Sequence, residues 1–391
     1  RLLRIVLIIY AARILGPAEW GSFSYATSLV AILAVLTDFG ISAILTRENA
    51  KNDQSEVKTK ILSTAFFLKL FILLPGLIFI IFIAPHLTIM RSIAPLLVFF
   101  GFILALDSIR QFGFSIIKAM EKMEAQAGLY MVTNLAIVIF GLTFLYVSPS
   151  ISSLTYAYLL GTGIGAIATA LFLREYWGYL SNGFHWSLAK TILVSAWPFA
   201  LSSLLGSIMI STDIFIIGFL RSAEEVGYYS VADRIMQVLY APSLILATST
   251  LPAFARFVRR DNEKVEKLLR RLLRRIYTFL IPITVLGVAI VPTVITLFFG
   301  RDYMAATLPL QILLFTLVFR YTSVLLGNLI FAHDQQKILI AYTFLGILLN
   351  IFFDLILIPR FGIAGSAWAS LISQVAVSFY LWRKTMYLRK L

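Results

Sequence analysis

The stretch ILSTAFFLKLFILLPGLIFIIFI, residues 61–83, decides the fold, and Lys69 is its single charge. About 20 apolar residues span the hydrocarbon core of a bilayer as a helix. The stretch is too long for a barrel strand and lacks the strict alternation such a strand needs. In hydrocarbon the helix is then the structure left that satisfies every backbone polar group. Comparable runs recur outward in both directions, at 20–45, 93–117, 127–147, 153–173, 190–220, 227–254, 274–299, 307–331, 338–358 and 363–382. A shorter run, 1–15, starts abruptly at Arg1 without Met, and we read it as the C-terminal part of a first span truncated at its N-terminus. It lacks the charged, apolar, small-residue plan of a signal peptide.

Composition agrees. The 391 residues are 60% hydrophobic and 13% charged, with a mean hydropathy of +0.91. Soluble domains hold about 45–50% apolar and about 25% charged residues. A soluble enzyme, a disordered chain and a fibrous protein are excluded. Cys is absent, and His86, His185 and His333 lie far apart, so the sequence shows no disulfide, no thiolate nucleophile and no metal spacing. The expectation is an all-α polytopic membrane protein of about twelve spans.

Basic residues orient it. With the connections after spans 2, 4, 6, 8 and 10 and the C-terminus on the cytoplasmic side, that side holds 22 of the 33 Lys and Arg residues. The opposite connections hold four, Arg91, Arg221, Arg301 and Arg360. Basic residues concentrate on the cytoplasmic side of membrane proteins, so both termini are expected there.

The two halves resemble each other. Glu19-Trp20-Gly21-Ser22-Phe23-Ser24-Tyr25-Ala26 matches Glu225-Val226-Gly227-Tyr228-Tyr229-Ser230-Val231-Ala232, and Ser115–Ala119 matches Asn328–Ala332. Six spans per copy is an even number, so the copies share one orientation and form a parallel repeat. The reading is an N-lobe at 1–175, a cytoplasmic loop at 176–189 and a C-lobe at 190–391.

Ionisable groups inside spans are costly and face a cavity or a partner. The candidates are Arg4, Arg13, Lys69, Arg234 and Arg320 for an anionic ligand, and Asp38, Asp107, Arg110, Asp213 and Asp233 for ion coupling or ion pairs. Asp107 and Arg110 are three apart and share a helix face. The repeat register also sets Asp107 opposite Arg320. Arg234 fits either a pair with Asp213 or contact with a ligand. Arg13, just before Gly16-Pro17, fits snorkelling to the outer interface. The basic stretch RFVRRDNEKVEKLLRRLLRR, 256–275, orients the chain and attracts anionic lipid headgroups. So short a loop between spans does not suit nucleic acid. GTGIG, 161–165, reads as small residues for close helix packing rather than a nucleotide loop. No catalytic constellation and no ATPase domain are visible, so the energy source is an ion gradient (H+ or Na+), the membrane potential or the substrate gradient.

Four segments carry a family resemblance: ARILGPAEWGSFSYATSLVAILAVLTDFGISAILTRENA (12–50), STDIFIIGFLRSAEEVGYYSVADRI (211–235), GRDYMAATLPLQIL (300–313) and LNIFFDLILIPRFGIAGSAWAS (349–370). In this order and at these spans they resemble the bacterial and archaeal polysaccharide flippases of the multidrug/oligosaccharidyl-lipid/polysaccharide exporter superfamily. The resemblance implies two six-helix lobes and a cavity lined mainly by spans 1, 2, 7 and 8. It implies a polyprenyl-(pyro)phosphate-linked oligosaccharide as cargo, moved from inner to outer leaflet by alternating access, and no cofactor. It places the protein in the cytoplasmic membrane of a bacterium or archaeon, in one pathway with glycan polymerases or glycosyltransferases. Arginines hold the pyrophosphate in relatives with a charged cavity, and Arg4 and Arg234 fit best here. A cation-coupled multidrug antiporter of the same superfamily is the alternative. A membrane enzyme is disfavoured, because every outer connection is short.

Overall fold

The computed structural model describes residues 2–51, 55–88, 90–180, 183–258 and 261–388. Arg259, Arg260, Arg389 and Lys390 of the basic count lie outside them. Among the described residues every regular element is a helix, and eleven helices are long and apolar enough to cross a membrane. The first of the eleven is double. Leu2–Asp38 breaks at Gly16 (φ 73°) into α1 (2–15) and α2 (17–38). A positive φ favours glycine, and Pro17 then stands at the first helical position, where its missing N–H costs nothing. Gly16-Pro17 thus separates the first two expected spans. The others are α3 (Ser55–Ile78), α4 (Leu97–Ala119), α5 (Met123–Val147), α6 (Ile151–Phe172), α7 (Trp186–Leu220), α8 (Ala223–Val258), α9 (Asn262–Phe298), α10 (Thr316–Ala332, preceded by Thr307–Leu314), α11 (Gln336–Phe361) and α12 (Ile363–Leu388).

Two bounds differ from the sequence reading. The run 20–45 does not continue as one helix, because Phe39 (φ 45°) and Gly40 (φ 74°) turn the chain into a separate helix, Ile41–Lys51. A Cβ on Gly40 would stand 2.5 Å from the Ala196 carbonyl, so this turn presses directly on the α7 backbone. At the other extreme α9 begins at Asn262 rather than 274, because its basic first turns continue the helix before it becomes apolar. The small-residue reading of GTGIG holds: Cβ atoms on Gly161 and Gly165 would collide with Ile137 and Thr133 of α5. Two glycines four apart let the helix backbones touch.

Packing divides the chain into residues 1–211 and 212–391, a boundary inside α7. The early turns of α7 (Ala189, Ile192, Ala196) belong to the core of the first unit, with Ile44 and Leu45, Ile61 to Leu68, and Phe112 to Ile117. The second unit has a core of the same design, built from Phe254, Val265 to Ile276, and Leu325 to Ile330. The contributions of α4 and α10 differ by a fixed offset, 325 − 112 = 330 − 117 = 213. The outer ends repeat as well. Glu19 accepts the Ile151 N–H at the start of α6 (2.9 Å). Its counterpart Glu225 stands 3.1 Å from where a Cβ on Gly362 would lie, one residue before α12. The internal repeat is thus visible in two packing motifs. Large apolar side chains such as Phe71 (75% exposed) and Val147 (81%) point outward, as side chains that face hydrocarbon do.

Candidate functional site

In the first unit two of the expected charges meet each other. Lys69, buried in α3, forms an ion pair with Asp38 at the end of α2. The same carboxylate oxygen accepts the Ser42 hydroxyl. Lys69 was expected as a cavity cation, and its charge is met inside the unit by Asp38. Arg110 likewise reaches Asp107 one turn away through both Nη2 and Nε, and its guanidinium lies 4.8 Å from the Phe114 ring. Asp107 is therefore engaged on its own helix.

Arg4 differs. Its guanidinium lies over the Tyr158 ring at 5.2 Å, and Tyr158 is braced edge-on by Phe23 at 5.0 Å. No carboxylate among the described residues pairs with it, and its buried Nε has no acceptor. A cation–π contact steadies a guanidinium by about 0.5–2 kcal/mol and leaves its donors available. Arg13 is exposed, three residues before the Gly16 break.

In the second unit Asp213 of α7 does not pair with Arg234. Its carboxylate accepts the hydroxyls of Tyr229 and Ser370 (2.8 Å for the serine), and Ser370 accepts an N–H from Asn350 at 3.3 Å. Asp354, one turn beyond Asn350 on α11, adjoins this group. It is fully buried, and neither carboxylate oxygen has a hydrogen-bond partner among the described residues. Four helices thus bring two carboxylates, an amide and hydroxyls to one buried place. Two buried like charges are not stable side by side without a proton or cation between them.

Asp233 and Arg234 lie next to that group on α8. Gln237 joins them, donating to Asp233 (2.7 Å) and accepting weakly from Arg234 (3.5 Å). Arg234 Nε has no acceptor. Arg320 of α10 stacks on Tyr240 at 5.8 Å, and its Nε is likewise without an acceptor. Among the described residues the second unit therefore holds two half-buried guanidinium groups without a salt-bridge partner.

Sequence reasoning marks Asp213, Asp233, Arg234, Arg320 and Asp354 as ionisable groups inside spans but not the groups that complete the cluster, Tyr229, Asn350 and Ser370. The available signal was Asn350 and Asp354 four apart in one apolar helix, hence on one face. Tyr158 and Tyr240, which hold the arginines, look like ordinary aromatic filler in the sequence.

Comparison with known proteins adds the following. Residues 1–258 match the family model described as polysaccharide biosynthesis protein, and residues 198–356 match the MatE model. The probable low-salt glycan biosynthesis flippase Agl15 of Haloferax volcanii is 23% identical over 94% of this chain and 76% of its own length. A putative O-antigen transporter of Shigella flexneri is 20% identical over 75% of this chain and 72% of its own. Among solved structures, the lipid II flippase MurJ in an inward closed conformation superposes with a TM-score of 0.80 at 18% identity, over 98% of this chain and 85% of that one.

Proposed function

Because the chain belongs to the polysaccharide biosynthesis protein family, we propose that it is a transporter that flips a polyprenyl-(pyro)phosphate-linked oligosaccharide from the inner to the outer leaflet of the cytoplasmic membrane. The observation that carries the proposal is the contrast among intramembrane cations. Lys69 and Arg110 are paired with carboxylates, whereas Arg4, Arg234 and Arg320 are held by aromatic rings or an amide and have no carboxylate pair among the described residues. Burying an unpaired charge is costly, so such groups suit a ligand that brings the opposite charge. Planar guanidinium donors fit phosphate oxygens in a charge-assisted way. The cargo glycan is polar and its phosphates charged, so neither crosses hydrocarbon unaided. Alternating access of the six-span halves, 1–175 and 190–391 joined by 176–189, would carry both across.

The test is reconstitution in vesicles with a fluorescent polyprenyl-pyrophosphate oligosaccharide. Wild-type protein should speed its transfer. The double variant Arg234→Ala/Arg320→Ala should slow it by about a hundredfold, since each charge-assisted hydrogen bond contributes about 1.5–3 kcal/mol. Unchanged transfer by the folded double variant would overturn the assignment of these arginines.

A second reading, a cation-coupled multidrug antiporter, is favoured by the MatE match and by the acidic cluster around Asp213. Gradient-driven export of cationic dyes, with no transfer of the glycolipid, would establish it instead. In the flippase reading the same cluster takes the coupling ion, H+ or Na+.

Orientation can be read directly, because the chain has no Cys and a single introduced one reports its own side. Gln335→Cys, between α10 and α11, should react with an impermeant maleimide only from the cytoplasmic side. Ser148→Cys, between α5 and α6, should react only from outside.

A further inference from the structure

The basic stretch at the start of α9 is not uniform. Lys264, Lys267 and Arg270 are matched by Asp261, which caps the helix, and by Glu263 and Glu266 within it. Arg271, Arg274 and Arg275 have no acidic partner among the described residues, and all three are exposed. Spaced i, i+3 and i+4, they share one face. The uncompensated charge thus sits where the helix turns apolar, not where it begins.

Beside this face is a groove of about 460 Å³ within the second unit. Ile245 and Ser249 of α8 form one wall, Ile276 and Phe279 of α9 the other, and Tyr321 of α10 also lines it. Arg275 belongs to the lining. Pro242 of α8, which cannot donate a backbone hydrogen bond, also lines the groove. Ile245 (70% exposed) and Phe279 (67%) open the groove sideways. The polar neighbours are already used: Tyr321 donates to the Leu239 carbonyl and Ser249 to that of Leu246. What remains is an apolar slot lined by one guanidinium, that of Arg275, with Arg271 and Arg274 on the same helix face.

We propose that this slot binds an anionic glycerophospholipid of the inner leaflet, one acyl chain lying between α8 and α9 and its phosphate held by Arg271, Arg274 and Arg275. Charge complementarity and lateral openness both favour an inner-leaflet lipid that diffuses in from the bilayer. The inference rests on the membrane orientation and not on the identity of the cargo.

Native mass spectrometry of the purified protein, titrated with phosphatidylglycerol or phosphatidylcholine, tests it. Wild-type protein should prefer phosphatidylglycerol. Arg271→Gln/Arg274→Gln/Arg275→Gln should lower phosphatidylglycerol affinity by about a hundredfold, roughly fivefold per near-surface arginine, and remove the preference. Ser249→Trp changes no charge but fills the slot, and should weaken both lipids. Should the triple variant fail to fold, Arg275→Gln alone should still show the fivefold loss. Phosphatidylglycerol binding that survives Ser249→Trp would reduce the feature to a basic surface and overturn the site. Displacement of phosphatidylglycerol by an equal or lower concentration of polyprenyl phosphate would assign the slot to the carrier lipid and also overturn it.

Discussion

Asn in place of Asp354 is expected to reduce gradient-driven transport to the rate seen with no gradient, while the folded protein melts at the same temperature or higher. The carboxylate is fully buried on α11 with neither oxygen hydrogen-bonded among the described residues, and it adjoins Asp213. An amide keeps the shape and removes the charge that a coupling proton or Na+ would meet. A buried carboxylate without partners is a burden to the fold, so its removal does not destabilise. Asp213→Asn should uncouple as well at little cost in stability, because Tyr229 and Ser370 both donate to the one oxygen Oδ2, whose place the amide oxygen can take. Vesicle transport with an imposed pH or Na+ gradient separates the two ions, and thermal unfolding in detergent supplies the second readout. Full gradient stimulation in Asp354→Asn would remove the acidic cluster from the transport cycle.

The helices were legible because hydrocarbon leaves few choices. Length and apolar content place ten of the later helices within a few residues, apart from the early start of α9, and Gly16-Pro17 marks the break between α1 and α2 through the backbone rules of two residues. The repeat was legible from two short matches, and the same offset of 213 reappears in the packed cores. Phe39-Gly40 was not, since glycine is common within membrane helices and the close approach of Ala196 cannot be seen in sequence. The candidate site was half legible. Rare charges in apolar runs announce themselves, but which charges cancel depends on helix rotation. Lys69 lies 31 positions from Asp38, and no local pattern links them. Tyr158 and Tyr240 became meaningful only once an arginine was found on each ring.

Lys69→Met is therefore expected to destabilise the first unit rather than to lower affinity for an anionic cargo. Lys69 is 3% exposed and Asp38 25%, so the pair is sheltered at one end and partly wet at the other. Removing one partner of a fully buried pair costs about 3–5 kcal/mol. The partial exposure of Asp38 moves the expectation to about 2–3 kcal/mol, because water takes over part of the abandoned charge. Ser42 still donates to the same carboxylate oxygen and limits the loss further. Asp38→Asn alone should be the worse change, since it strands the more deeply buried Lys69. The double variant Lys69→Met/Asp38→Asn should recover most of the stability, because an apolar thioether and a hydrogen-bonded amide replace the pair without leaving a charge behind. Unfolding of the four proteins in one detergent gives the coupling energy directly. If instead Lys69→Met unfolds like the wild type and slows glycolipid transfer, the lysine is a cargo contact and Asp38 merely tunes it. A cation already matched by a carboxylate has little left to offer the proposed pyrophosphate, whereas a guanidinium resting on a tyrosine ring does.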